Sequence, residues 1–267
     1  MLTENYHTHT YRCHHATGDV ADYCAEAVAQ GLTTLGFSDH VPYPKEVQED
    51  WHHWAMSVEE IPGYFAAIDE ARKEFPQLKI YRGFECEYNP QLMDYYKEEI
   101  VGKWRPDYLI LGNHYVMMDG KALSPRKACV SKEGITLWTD WLLAGMHSEL
   151  FQLVAHPDMF MQTPMPWNAL CEECARRILA ASEELQIPLE VNAYGLRKPW
   201  MDDGTTVRPM YPHSAFWKLA QEYDIPIVIS SDAHTPADVH GNMEDALTFL
   251  LNNNPTSHVI SLSSLLG

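Results

Sequence analysis

The sequence predicts an α/β fold in which parallel strands covered by helices close into a barrel. Short apolar runs, about seven of them, alternate with helical patterns along the chain, and they are apolar at successive positions, as strands buried on both faces are. No Gly/Ser-rich linker, low-complexity tract or internal repeat divides the 267 residues, which are therefore read as one domain, 1–267. An apolar content of 46% can fill the core such a barrel needs.

The first strand is expected at Glu4–His7, followed by a helix over Val20–Gln30 with Asp19 as its N-cap and Gly31 as its stop. Thr34–Ser38 reads as the second strand. The segment after it, Val41–Met56, is long enough to cover the strand ends as a lid. Ser57 opens the next helix, Val58–Phe75, in a capping box with Glu60, and Pro76 closes it. Strands at Leu78–Cys86, Tyr108–Gly112, Phe151–Ala155, Pro188–Val191 and Pro226–Ser230 alternate with helices at Leu92–Trp104, Thr136–Leu150, Asn168–Gln186 and Ser214–Asp224. A last helix runs from about Pro236 to Leu251.

Composition narrows the function. The formal net charge is -18, from 37 acidic and 19 basic side chains, a surface that repels polyanions and argues against nucleic acid as partner. No basic segment followed by an apolar run opens the chain, and no apolar stretch of about 18 residues occurs, so neither secretion nor membrane insertion is expected. The six cysteines are scattered and suit a reducing cytoplasm better than a disulfide framework. Cys171 and Cys174 lie inside an expected helix with no second pair at metal-finger spacing, so they read as packing residues.

Chemistry-bearing residues recur at one end of the strands. His7 and His9 end the first, Asp39 and His40 the second, Glu85 the third; His114 follows the fourth, His156 the fifth, and Asp232 and His234 the last. The carboxyl ends of parallel barrel strands open onto one face, where residues far apart in sequence converge. Imidazole and carboxylate without thiolate suit borderline divalent ions such as Zn, Mn and Fe in open catalytic sites, and strand alternation turns Cys86 away from Glu85.

The segments HTHTYRCHH (7–15), GFSDHVPYP (36–44), GFECEY (83–88), GNHY (112–115), AHPD (155–158), LEVNAYGLRKP (189–199) and SSDAH (230–234) resemble those of the polymerase-and-histidinol-phosphatase (PHP) superfamily, and within it the monofunctional histidinol-phosphate phosphatases. The resemblance spans nearly the whole chain. It implies a distorted (β/α)7 TIM-like barrel with a trinuclear metal centre. One ion would take His7, His9, Glu85 and Asp232; a second would share Glu85 and take His114 and His156; a third would take His15, His40 and His234. His15 is preferred to His14 because the family spacing from the HxH pair through Cys13 ends there. The same resemblance marks Arg197 as a phosphate ligand, a role that suits a guanidinium fork.

The activity implied is hydrolysis of L-histidinol phosphate to L-histidinol and inorganic phosphate, with a metal-bound hydroxide as nucleophile. A departing alkoxide needs a proton, for which Asp158, His40 and His234 are candidates. Glu87, Tyr88, Tyr115, Tyr194 and the lid tryptophans Trp51 and Trp54 are candidate readers of the leaving group. Another small phosphomonoester or nucleotide is the alternative substrate, and a metal-dependent amidohydrolase the alternative class.

Overall fold

The computed structural model describes residues 2–47 and 53–266. Its main sheet is parallel and runs β1 (Glu4–Asn5), β2 (Thr34–Phe37), β3 (Lys79–Glu87), β4 (Tyr108–Gly112), β7 (Leu153–Val154), β8 (Leu189–Asn192), β11 (Pro226–Ser230) and β12 (His258–Val259). The first seven of these are the predicted strands. At their carboxyl ends the first and seventh meet: Thr8 bridges Ala233 in parallel, with His9 N–H donating to Ala233 O at 2.9 Å. The sheet thus curls into a TIM-like barrel. At the opposite end β12, which sequence patterning did not foresee, pairs with Pro226 and Ile227 of β11. Just beyond it, Ser261 Oγ and Ser263 N–H lie 3.1 Å from Tyr6 Oη.

The helices cover the outside. α1 (Val20–Ala29) starts where Asp19 and Asp22 form a reciprocal capping box, and α2 (Ile61–Glu74) follows a short 3-10 turn whose first N–H groups are held by the Ser57 and Glu60 pair. The helix expected at Leu92–Trp104 is divided into α3 (Met93–Tyr95) and a π-helical stretch, Tyr96–Trp104. α5 (Lys132–Met146) begins four residues earlier than periodicity suggests, because Ser131 caps it by accepting from Gly134 N–H at 3.0 Å. α6 (Ala169–Leu185), α8 (Ser214–Leu219) and α9 (Met243–Asn253) complete the ring, with Asn168 as the cap of α6.

Three insertions at the carboxyl end were not visible as periodic patterns: the hairpin β5–β6 (Val116–Met118, Lys121–Leu123) with α4 (Pro125–Ala128), the single turn α7 (Tyr194–Arg197), and the hairpin β9–β10 (Met201–Asp202, Val207–Arg208). The expected lid Val41–Met56 lies partly outside the described residues, which exclude 48–52 and with them Trp51.

Two apolar layers hold the barrel. Tyr6, Tyr81, Tyr108, Ile110, Leu153 and Val228 form a buried cluster of their own, and Tyr108 Oη donates to Tyr6 O at 2.6 Å. A larger cluster joins the sheet to the helices; Cys171 and Cys174 are buried within it, and all six cysteines are free. No helix among the described residues is long and apolar enough to cross a membrane.

Candidate metal centre

Glu85, near the end of β3, is the hub. Its Oε2 lies 3.3 Å from His7 Nε2, 3.4 Å from His9 Nε2 and 3.2 Å from His40 Nδ1, while Oε1 lies 3.2 Å from His156 Nε2 and 3.5 Å from His114 Nε2. Asp232 approaches from the far side of the barrel seam, its Oδ1 being 3.3 Å from His9 Nε2 and 3.6 Å from His7 Nε2. His234 stacks on His9 with ring centroids 4.5 Å apart, and the His15 ring is 4.9 Å from that of His234 and 5.4 Å from that of His40. All nine residues expected from sequence therefore meet in one cluster. His14, exposed as His15 is, makes no ring contact with the cluster among the described residues, and its φ of 66 lies in the left-handed region.

Local structure explains how each arrives. Thr10, between the HxH pair and His15, donates to Asp39 through both its N–H and its hydroxyl at 2.8 and 2.7 Å, which pins the first loop to the second. Asn5 donates to Ser231 Oγ at 2.8 Å and accepts from Ser231 N–H at 3.0 Å, tying β1 to the loop that carries Asp232 and His234. Asn113 and Trp138 exchange side-chain-to-backbone hydrogen bonds at 3.0 and 2.8 Å, fixing the loop before His114. His156 and Asp232 both take positive φ, 32 and 50, a conformation that costs energy in a non-glycine residue and is retained where the surroundings enforce it. Gly112 must stay small: a Cβ there would stand 2.5 Å from Glu85 Oε1.

Behind the histidines lie carboxylates that sequence reasoning missed or assigned elsewhere. Glu190 is fully buried; its Oε1 is 2.9 Å from His7 Nδ1, and its Oε2 accepts from His156 N–H at 3.1 Å and from Asn192 Nδ2 at 2.8 Å. A charged residue in the middle of an otherwise apolar strand was the available signal. Glu87, a candidate reader of the substrate, lines the cavity and also grips His114, with 2.6 Å from Oε1 to Nδ1 and 2.7 Å from Oε2 to the backbone N. Such contacts fix which ring nitrogen faces inward.

The electrostatics suit cations. Burial alone would raise the pKa of Glu85 and Asp232, but the surrounding imidazoles, His114 and His7 foremost, hold both carboxyls well below their usual range. His114 would be lowered by burial, yet Glu85 and Glu87 raise it to about 9. Asp232 Oδ1 is buried with no hydrogen-bond partner among the described residues, and His7 and His9 point their Nε2 atoms at each other 3.1 Å apart. Converging lone pairs of imidazole and carboxylate are a donor set that fits divalent ions. Cys13 lies close to His15 and His234, and burial pushes its thiol up to about 12.

The cluster floors a cavity of about 940 Å³. Its wall includes Tyr43, Trp54, Tyr115, Tyr194, Lys198 and Tyr211, and the stretch from Gly120 to Pro125 supplies one side. Of the expected proton donors, His40 and His234 line this cavity and Asp158 does not. Asp158 is buried behind it, its Oδ2 accepting from His213 N–H at 2.6 Å and Trp217 Nε1 at 3.0 Å, where it holds the start of α8. Arg197 is likewise absent from the cavity wall. Its Nη1 donates to Gly241 O and its Nη2 to Ser231 O, both at 2.6 Å, so its guanidinium braces the loop bearing Asp232. Tyr88 packs edge-on against Trp141 rather than lining the cavity.

Comparison with known proteins agrees with this architecture. A family model described as the PHP domain matches residues 5–194. A protein of Deinococcus radiodurans named "Probable histidinol-phosphatase" is 30% identical over 250 residues, covering 90% of each chain. The histidinol-phosphatase of Bacillus subtilis is 25% identical over 268 residues, covering 90% of this chain and 96% of its own. A crystal structure of histidinol phosphate phosphatase from Lactococcus lactis, complexed with zinc, L-histidinol and phosphate, superposes with a TM-score of 0.73 at 17% identity, covering 97% of this chain and 95% of the other.

Proposed function

Because the chain belongs to the PHP domain family, we propose that it is a metal-dependent phosphatase that hydrolyses L-histidinol phosphate to L-histidinol and inorganic phosphate. The observation that carries this reading is the convergence of four strand ends on Glu85 of a fifth, with Asp232 of a sixth joined through His7 and His9, in a chain 30% identical to a protein named for that activity. In this reading the cluster holds three divalent ions, zinc, manganese or iron. His7, His9, Glu85 and Asp232 surround one; Glu85, His114 and His156 the next; His15, His40 and His234 the outermost. The distances around Glu85 and the ring contacts of His15 support that partition.

Divalent ions held there would lower the pKa of bound water and neutralise the oxygens of a phosphoryl group. The chain's own residues do the rest. Glu190 and Glu87 orient the rings of His7 and His114 so that the inward nitrogens are the donors. The cavity, walled by tyrosines and the β5–β6 insertion, encloses a small alcohol and limits water around the ester. His40 and His234 line the cavity, but as ligands of the outermost ion in this reading each imidazole is committed to a metal rather than to delivering a proton to the departing alcohol. Arg197 positions Asp232 and His234 through carbonyls of their loop.

The test is phosphate release from L-histidinol phosphate beside a panel of other phosphomonoesters, with protein as purified, after chelation and after restoring zinc or manganese. A kcat/KM for L-histidinol phosphate far above the panel, abolished by chelation and recovered with metal, is the expected result. Even, low rates across the panel would retain the metal phosphatase and sink the substrate.

A further inference from the structure

We propose that Lys198 is the side chain that seats the phosphate of the substrate, a phosphomonoester dianion resting on the metal cluster. This inference rests on the phosphatase reading above and adds to it a residue that neither motif nor periodicity singled out.

Lys198 follows α7 directly and lines the cavity. Its Nζ stands 4.3 Å from the centroid of the Tyr194 ring and 5.2 Å from that of Tyr211. These two tyrosines belong to opposite flanks of the cluster. Tyr194 stacks on His234 at 4.9 Å with the rings 20° apart, while Tyr211 lies 5.8 Å from His156. An ammonium in contact with both rings therefore lies between the His234 side and the His156 side of the cluster, on the cavity wall from which an anion would approach it.

The partners of Lys198 point the same way. It makes no hydrogen bond or ion pair among the described residues, although 37 carboxylates outnumber 19 basic side chains in this protein. A half-buried ammonium without a counter-ion is costly, and two aromatic faces compensate only in part. Its neighbour Arg197, the more obvious phosphate ligand by sequence, has its Nη groups engaged by the carbonyls of Gly241 and Ser231. The chain thus divides the adjacent pair: the guanidinium fork holds the loop, and the point charge is left for a ligand. Lys121 and Lys127 also line the cavity, but both are exposed, so they attract anions without fixing one in place.

The experiment uses the metal-loaded protein with Lys198→Met, Lys198→Arg and, as a control for general electrostatics, Lys127→Met. Inhibition constants for inorganic phosphate and for L-histidinol are measured beside kcat, KM, bound-metal content and melting temperature. Lys198→Met is expected to weaken inorganic phosphate and raise KM by roughly 10- to 100-fold, with L-histidinol affinity, metal content and melting temperature unchanged. Lys198→Arg recovers part of the phosphate affinity, and Lys127→Met shifts it by no more than about threefold. Phosphate affinity in Lys198→Met within twofold of wild type, at equal metal content, overturns the proposal while leaving the phosphatase reading intact. Should wild type show no phosphatase activity, calorimetric titration with inorganic phosphate still decides: binding lost in Lys198→Met upholds the anion site, and no binding by wild type overturns both.

Discussion

The floor and the wall of the cavity are built on different principles. On the floor, His7, His9, Glu85 and His156 are almost wholly buried at the ends of core strands or just beyond them, and a further shell of carboxylate and amide holds them. On the wall, Trp54 is 60% exposed, and Lys121, Gly120 and Lys127 belong to a short hairpin and a single helical turn outside the barrel. The floor is over-determined, as a site must be that buries many polar groups together before a cation arrives. This part of the wall is more exposed than the buried Tyr43 and Tyr211 beside it, which suits a surface that admits substrate and discriminates among alcohols. Floor variants should therefore lose metal and rate together, whereas wall variants should change KM with metal content intact.

The largest effect is expected at the hub. Glu85→Gln keeps the shape and removes the charge shared by five imidazoles, so metal content should fall and kcat/KM should drop by about a thousandfold or more. Metal analysis beside steady-state kinetics checks it, and a fully metallated, active variant would break the distinction between floor and wall. Next comes Glu190→Gln. It touches no cavity, yet it should weaken metal affinity by about 10- to 100-fold because His7 loses the partner that sets its tautomer. Competition with a chromophoric chelator reads this directly, and an unchanged affinity would reduce Glu190 to a packing residue.

Trp54→Ala tests the wall. Its ring lies 5.1 Å from that of His15 and is largely exposed, so KM should rise by about two- to fivefold while bound metal stays constant. A loss of metal instead would join this part of the wall to the floor.

The smallest effect on rate is expected at Asp158, where Asp158→Asn should leave kcat within about threefold, because the residue holds α8 and does not face the substrate. Its signature lies in stability. Burial raises the Asp158 carboxyl from 3.8 to about 6 despite the hydrogen bonds from His213 and Trp217. The folded chain therefore binds this proton more tightly than the unfolded chain, and that contribution to stability, up to about 3 kcal/mol, is lost as pH rises from the unfolded value through the folded one. Asparagine does not titrate. The melting temperature of the variant relative to wild type should accordingly climb between about pH 4 and 6 and level off above. A kcat loss of about a hundredfold with normal melting would make Asp158 the proton donor after all.

Much of this was legible in the sequence. Tyr108–Gly112 and Pro226–Ser230 form strands with the predicted bounds, since an apolar run bordered by polar residues has one way to lie in a covered parallel sheet. The Asp19 and Ser57 caps were readable because capping is a contact between near neighbours. The ligand candidates were legible for a topological reason: parallel strands place every residue that follows one on the same face. The hairpins, α4 and β12 were not, because their two to four residues are too few to establish a period and gain their partners only from the assembled barrel.

Sequence alone thus determined the strands of the main sheet up to the seventh, the end at which the site forms and the residue types that meet there, because each depends on local pattern and connectivity. Tertiary structure decided how neighbouring groups divide their tasks. Arg197 and Lys198 are adjacent and both cationic, yet one faces carbonyls and the other a cavity; Glu85 and Glu87 share a strand, yet one is the hub and the other its support. Nothing in the order of residues distinguishes the members of these pairs. The direction of a side chain is set by what the rest of the fold packs against it, and those contacts come from segments distant along the chain.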